Sequence, residues 1–221
     1  MNLDQDGREW TSRRLGELPF KRIREDKSVM NNDAHDVLWR RLKYSLTPQQ
    51  DIYRSLREKL VGASVLEVGF GTGAGVLQYA MAAERVDAIE IDPGAVHFAQ
   101  EMFPLSNVRW VEADITSFYS ANPYDYVVMI ETLEHVKDYR TALTAIHAML
   151  KDGGSLIMSA RNAQADLRRW KDLHEREWTG TELLDNLMQF FGPRVYLYDY
   201  SLQDNLDRYT RTTPLIAIAT K

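Results

Sequence analysis

The chain has 221 residues, 44% of them hydrophobic and 27% charged, a balance typical of a folded globular protein with one sizeable core. It contains no cysteine, which excludes disulfides, thiol catalysis and cysteine-ligated zinc and fits a reducing compartment, so we expect a cytoplasmic location. The net charge of -5 argues against a surface devoted to nucleic acid, and no apolar run reaches the roughly 18 residues of a membrane span.

The first part of the chain, residues 1–46, lacks sustained apolar periodicity and combines basic with aromatic side chains. We interpret it as an N-terminal extension or lid that either packs its aromatic residues on the core or contacts the substrate. A helix is expected to start at Thr47, because Pro48 occupies the first helical position and Gln50 completes a capping box. This helix would begin a single domain covering residues 47–221.

From Ser64 onward, short β-rich runs alternate with helical stretches, which favours βαβ units around a parallel sheet. Strands are predicted over residues 65–68, 86–91, 108–112, 126–130, 155–159, 195–200 and 215–219. Helices are predicted over residues 74–83, 94–103, 138–150 and 181–191. The last two strands follow one another without a helix. We therefore predict a doubly wound α/β fold with seven strands, mostly parallel and completed by a C-terminal antiparallel hairpin strand.

The strongest local pattern is an apolar strand that runs into a glycine-rich turn containing Gly69, Gly71 and Gly73. Glycines let the backbone approach a ligand closely, and a following helix start offers N–H groups, so a nucleotide-type ligand is indicated. The spacing also satisfies the dinucleotide fingerprint, a weak signal by itself. Glu67 argues against a dinucleotide, because a carboxylate beside the turn repels a pyrophosphate but attracts the ammonium and sulfonium charges of S-adenosylmethionine.

Four landmarks in chain order resemble the class I S-adenosylmethionine-dependent methyltransferases, which have a Rossmann-like fold. They are the turn after Glu67, the acidic segment at residues 112–115, the strand at residues 124–130 and the turn at residues 150–154. Glu90 could accept hydrogen bonds from both ribose hydroxyls. The resemblance implies that Asp114 contacts the adenine amino group and that the Ile115 amide reaches the ring. It implies S-adenosyl-L-methionine as cofactor, with the candidate binding residues Glu67, Gly69, Phe70, Gly71, Gly73, Glu90, Ile91, Asp114, Ile115 and Glu131.

The acceptor side is predicted from the segment that begins at Glu131 and from His174 further along. If a helix starts at Glu131, then Glu131, Glu134 and His135 share one face. With the later histidine, this pattern resembles the ubiquinone-biosynthesis O-methyltransferases and their small-molecule and sugar-modifying relatives. It also resembles the small-RNA 3′-terminal 2′-O-methyltransferases, in which comparable residues hold a divalent metal. Structural roles, in capping a helix or packing a loop, are the alternatives.

We therefore expect an S-adenosylmethionine-dependent methyltransferase acting on an O or N atom of a small molecule, metabolite or sugar. His135 and His174 are the candidate catalytic bases, because a phenol or an amine needs only alignment and proton removal. We expect no bound metal and no membrane partner, and a nucleic-acid partner is disfavoured. The alternatives are a metal-dependent RNA 2′-O-methyltransferase and a noncatalytic S-adenosylmethionine-binding domain.

Overall fold

The computed structural model describes residues 48–163, 175–198 and 214–221, which form four α-helices and seven β-strands. The helices are α1 (Pro48–Leu56), α2 (Pro93–Met102), α3 (Tyr139–Met149) and α4 (Gly180–Phe191). The strands are β1 (Ser64–Val68), β2 (Arg85–Glu90), β3 (Val108–Glu112), β4 (Tyr124–Ile130), β5 (Leu150–Ala160), β6 (Val195–Tyr198) and β7 (Leu215–Thr220). The predicted N-terminal extension and Thr47 lie outside the described residues.

All seven strands form one sheet in the order β3-β2-β1-β4-β5-β7-β6. The pairs among β1 to β5 are parallel, whereas β7 runs antiparallel to both β5 and β6. The predicted fold class is therefore confirmed. Because parallel strands share their direction, the carboxyl ends of β1, β2 and β4 meet at one edge, where open α/β sheets bind their ligands.

Successive strand residues point to opposite faces of the sheet, and this alternation divides the core in two. In β1, Val65 packs on one face and Leu66 on the other. Helices α1 and α2 cover the first face, and α3 and α4 cover the second. Since both faces are covered by helices, the central strands are apolar almost throughout, as the sequence pattern requires.

The helices after the strands begin at polar caps that the sequence supplies. Asp92 accepts a hydrogen bond from the Gly94 N–H at 2.8 Å at the start of α2, and Asp138 accepts one from the Thr141 N–H at 3.1 Å at the start of α3. A full capping box starts α4. Each cap satisfies an N–H group that has no partner within the helix.

Within the described segments, no helix is long and apolar enough to cross a membrane.

The predicted helix over residues 74–83 is wrong, because this segment forms turns around one short 3₁₀ helix, Val76–Gln78. Val76, Tyr79 and Ala80 are buried, so their helical spacing does reflect a shared inner face. Two glycines at the start of the segment oppose a regular helix. Gly73 has a φ of 80°, outside the helical region, and Gly75 lies directly against a tyrosine ring from α1.

Candidate active site

The glycine turn after β1 lies at the carboxyl edge of the sheet. Gly69, Gly71 and Gly73 have positive φ angles of 73°, 56° and 80°. Gly69 is required for a second reason, because a Cβ there would overlap the Thr132 side chain. Thr132 Oγ1 also donates a hydrogen bond to the Val68 carbonyl oxygen at 3.3 Å. The segment after β4 is therefore packed directly against the turn.

Glu90 at the end of β2 ties the glycine turn to the loop that leads into α2. Its Oε2 accepts a hydrogen bond from the Gly71 N–H at 2.9 Å. Its Oε1 accepts hydrogen bonds from the N–H groups of Ile91 at 2.8 Å and Asp92 at 3.2 Å. The carboxylate is only half-buried, and the neighbouring Ile91 side chain is 65% exposed. The residue thus fixes the turn while remaining accessible to a ligand.

The other predicted cofactor residues divide between the surface and the core. Asp114 is exposed, and its Oδ1 accepts hydrogen bonds from the N–H and the hydroxyl of Thr116, both at 2.8 Å. Ile115 is buried. The Phe70 ring is also buried and packs edge-on against Trp110 with ring centroids 4.9 Å apart. Phe70 therefore presents mainly its backbone to the space above the turn.

Glu67 is fully buried and is held by two tyrosine hydroxyls. Tyr53 of α1 donates to Oε1 at 2.6 Å, and Tyr79 donates to Oε2 at 2.8 Å. Burial raises the pKa of Glu67 to about 8, although both hydrogen bonds act in the opposite direction. The carboxyl is thus a buried acid, hydrogen-bonded to two hydroxyls, whose charged form a nearby positive charge would favour.

Glu131 directly follows β4 in a backbone conformation that is unusual for a side-chain-bearing residue, with a φ of 50°. Its N–H donates to the Ser159 carbonyl oxygen at 3.1 Å, and the Ser159 hydroxyl donates to Oε1, also at 3.1 Å. Arg161 lies 3.9 Å from Oε2. The end of β5 therefore holds this strained residue and fixes its carboxylate.

The predicted helix beginning at Glu131 is wrong, because only a short 3₁₀ helix forms, from Leu133 to His135. A 3₁₀ turn of this length does not bring Glu131, Glu134 and His135 onto one face: Glu134 is buried whereas His135 is exposed. Neither Glu134 carboxylate oxygen has a hydrogen-bond partner among the described residues. Burial, followed by the nearby Glu131 charge, raises the pKa of Glu134 well above its usual range.

The segment after residue 174 covers Glu134 from the other side. The N–H groups of Glu175 and Arg176 donate to the Glu134 carbonyl oxygen at 2.8 and 3.2 Å. The Arg176 guanidinium lies over the fully buried Trp178 ring, 4.2 Å from its centroid. His174 itself is outside the described residues. In the described part of the chain, no three histidine, aspartate or glutamate side chains form a group able to bind a metal ion.

Sequence reasoning missed the residues that hold the predicted carboxylates, namely Tyr53, Tyr79, Ser159 and Arg161. Ser159 would have been the easiest of them to predict, because it pairs in register with Ile130, the residue before Glu131, on the neighbouring strand. A prediction of the strand order would have placed it there. No motif marks Tyr53, which occupies the buried face of α1 among apolar residues.

Comparisons with known proteins agree with this geometry. A family model described as a methyltransferase domain matches residues 38–196. Nodulation protein S of Sinorhizobium fredii is 27% identical over 156 residues, covering 68% of this chain and 71% of that protein. A ubiquinone biosynthesis O-methyltransferase of Pectobacterium carotovorum is 34% identical over 116 residues, 49% of this chain, and the chain spans about half of that protein (48%).

Solved structures share the fold. The N-methyltransferase NodS from Bradyrhizobium japonicum, in complex with S-adenosylhomocysteine, aligns with a TM-score of 0.62 at 23% identity, covering 86% of this chain and 99% of that one. A Burkholderia thailandensis 1,6-didemethyltoxoflavin-N1-methyltransferase aligns with a TM-score of 0.63 at 21% identity, covering 85% and 83% of the two chains. With its seven-stranded sheet, its glycine turn and the family match over most of its length, this chain belongs to the class I S-adenosylmethionine-dependent methyltransferases.

Proposed function

We propose that this methyltransferase transfers the methyl group to an O or N atom of a small molecule, metabolite or sugar. The observation that carries the proposal is the contact between Thr132 and Gly69, which packs the segment that carries Glu131 against the glycine turn. The names of the relatives support the same acceptor class, because they include a ubiquinone biosynthesis O-methyltransferase and an N-methyltransferase.

The residues around the turn fit S-adenosylmethionine. Apart from the glycine and its chain neighbours, no atom of the described residues lies within 4 Å of the position where a Cβ of Gly71 would be, so the described part of the chain leaves this side of the turn open to a ligand. Glu90 is accessible beside it and suits the two ribose hydroxyls. The buried Glu67 suits a cationic ligand, because a positive charge nearby offsets the cost of ionising its carboxyl. We assign the adenine end to Asp114 and Ile115.

The chemistry asks little of the protein beyond alignment and proton removal. When bound, S-adenosylmethionine supplies an electrophilic methyl group on its sulfonium, and the acceptor atom must approach it in line. We assign the fixed carboxylate of Glu131 to orienting the acceptor. The base that removes the acceptor proton is assigned to His135, which follows Glu134 in the sequence, or to His174, which precedes Glu175.

The proposal is tested by incubating the protein with S-adenosylmethionine carrying a deuterated methyl group and an extract of small metabolites. Mass spectrometry should reveal at least one small molecule that gains the labelled methyl group, and the signal should persist in EDTA. A Glu90→Ala protein serves as the control for enzyme-dependent labelling. Labelling confined to an RNA 3′ end, abolished by EDTA and restored by Mn²⁺, would contradict the proposal and favour the metal-dependent RNA enzyme.

A further inference from the structure

Three buried polar side chains meet behind the glycine turn, where an apolar core would otherwise be expected. Tyr53, Glu67 and Tyr79 are 8%, 0% and 1% exposed. Both hydroxyls donate to the carboxylate, one to each oxygen, at 2.6 and 2.8 Å. Buried carboxylates are costly unless they are hydrogen-bonded, so these two bonds are what allows Glu67 to occupy this place.

Tyr53 reaches Glu67 from outside the strand and turn that form the cofactor site. It belongs to α1, which precedes β1 and packs Ile52 and Leu56 into the same core. Its ring passes so close to Gly75 that a Cβ at that position would overlap it. Since Gly75 has an ordinary φ of -64°, the need for glycine here is a need for space, and that space is filled by Tyr53.

Glu67, which accepts the hydrogen bond from Tyr53, lies just before the cofactor turn. Glu67 is the last but one residue of β1, and Gly69 begins the turn two residues later. The Tyr53 hydroxyl is also close enough to Glu131 for that charge to help raise the pKa of the tyrosine, after burial and Glu67. Tyr53 is therefore hydrogen-bonded to the carboxyl before the cofactor turn and is influenced by the charge of the carboxylate on the acceptor side.

We propose that Tyr53 is a positioning residue for the methyl donor: through its hydrogen bond to Glu67, helix α1 fixes the strand end from which the cofactor turn starts. This inference rests on the proposed assignment of the turn and Glu67 to cofactor binding. It makes α1 part of the cofactor site, although no α1 side chain need touch the cofactor. A purely structural role would instead let α1 stabilise the fold without changing cofactor affinity.

The chain offers a matched control on the opposite face of the sheet. Tyr124 is also fully buried and donates a hydrogen bond of 2.6 Å to a carboxylate, that of Asp87. Asp87 alternates along β2 with Val86 and Ala88, which pack on the α1 face, so this second pair lies on the other face. Tyr53→Phe and Tyr124→Phe each remove one buried hydroxyl and keep the ring.

The test measures the dissociation constant of S-adenosylhomocysteine by isothermal titration for the full chain and both variants, together with their melting temperatures. Tyr53→Phe should raise the dissociation constant about tenfold, because it leaves one oxygen of the buried Glu67 carboxyl without its hydrogen-bond partner. Tyr124→Phe should leave the constant within about twofold, even though both variants lose a buried hydrogen bond and melt at lower temperature.

Whether Tyr53 acts through Glu67 is tested by repeating the substitution in Glu67→Gln protein. There, Tyr53→Phe should weaken S-adenosylhomocysteine binding by about twofold or less. Equal losses in the two backgrounds would overturn the proposal, because Tyr53 would then act independently of Glu67. Unchanged affinity in Tyr53→Phe, with only a lower melting temperature, would also overturn it. Failure of the unaltered protein to bind S-adenosylhomocysteine would instead remove the proposed cofactor site itself, and the inference with it.

Discussion

The pH dependence of stability should change when Glu67 is replaced by glutamine. Burial raises the pKa of this carboxyl from 4.5 to about 8, so the folded protein binds the proton more tightly than the unfolded chain does. Stability from this group is therefore fully present below about pH 4.5 and is lost as the pH rises towards 8. With about 1.4 kcal/mol per pKa unit, the loss between pH 5 and pH 8 is on the order of 3 kcal/mol.

Glutamine is close in size to glutamate and cannot ionise, so Glu67→Gln should flatten the stability profile by on the order of 3 kcal/mol across that range. The free energy of unfolding is measured by urea denaturation of the ligand-free protein at pH 5, 6, 7 and 8. Glu112→Gln, at an exposed position at the end of β3, is the control and should leave the profile unchanged. Parallel profiles for the unaltered and Glu67→Gln proteins would refute the reasoning, since contributions from other groups are common to both.

Three further substitutions test the site. Glu90→Ala should weaken S-adenosylhomocysteine binding by about 1.5–3 kcal/mol in isothermal titration, the range for hydrogen bonds to a charged group, and an unchanged constant would move the ribose contact elsewhere. Gly69→Ala should lower the free energy of unfolding by more than about 2 kcal/mol in urea, because it adds a Cβ at a φ of 73° against Thr132; equal stability would contradict the packing. His135→Ala should reduce kcat about 10²- to 10⁴-fold with cofactor affinity intact if His135 is the base, and full activity would transfer that role to His174.

The fold was predictable because its signals are local and repeated. Most strands contain a short apolar run, and residues such as Asp92 and Asp138 cap the helices that follow. The glycine turn was predictable for the same reason, since close backbone approach and positive φ angles require glycine at fixed spacing. A parallel sheet then brings its strand ends to one edge, whatever the details of the loops.

The two wrong helix predictions arose because the same spacing of residues fits both an α-helix and a series of turns. Val76, Tyr79 and Ala80 have helical spacing, yet successive turns bury the same three side chains without an α-helix. After β4, Glu131 has a positive φ, so no α-helix can begin at this residue. A hydrogen bond to Ser159 on another strand supports this backbone conformation. Such support depends on contacts distant in sequence, which periodicity does not record.

The partners of Glu67 were beyond sequence reasoning for a related reason. The motif predicts an acid before the glycine turn, and electrostatics predicts that it favours a cation over a pyrophosphate. Neither predicts that Tyr53, from a helix before the first strand, would donate a hydrogen bond to it. A tyrosine on the buried face of a helix is ordinarily a core residue. Only its contact with Glu67 in the structure distinguishes Tyr53 from such a residue.

We propose that the turn formed by residues 69–73, with Glu67 behind it and Glu90 beside it, holds S-adenosylmethionine. Isothermal titration of the unaltered protein with S-adenosylhomocysteine, and separately with NAD, tests it most directly. We predict saturable one-to-one binding of S-adenosylhomocysteine and no heat of binding with NAD, because the buried acid before the turn gains by ionising beside a cationic ligand and not beside a pyrophosphate. Tight binding of NAD with no response to S-adenosylhomocysteine would contradict the account.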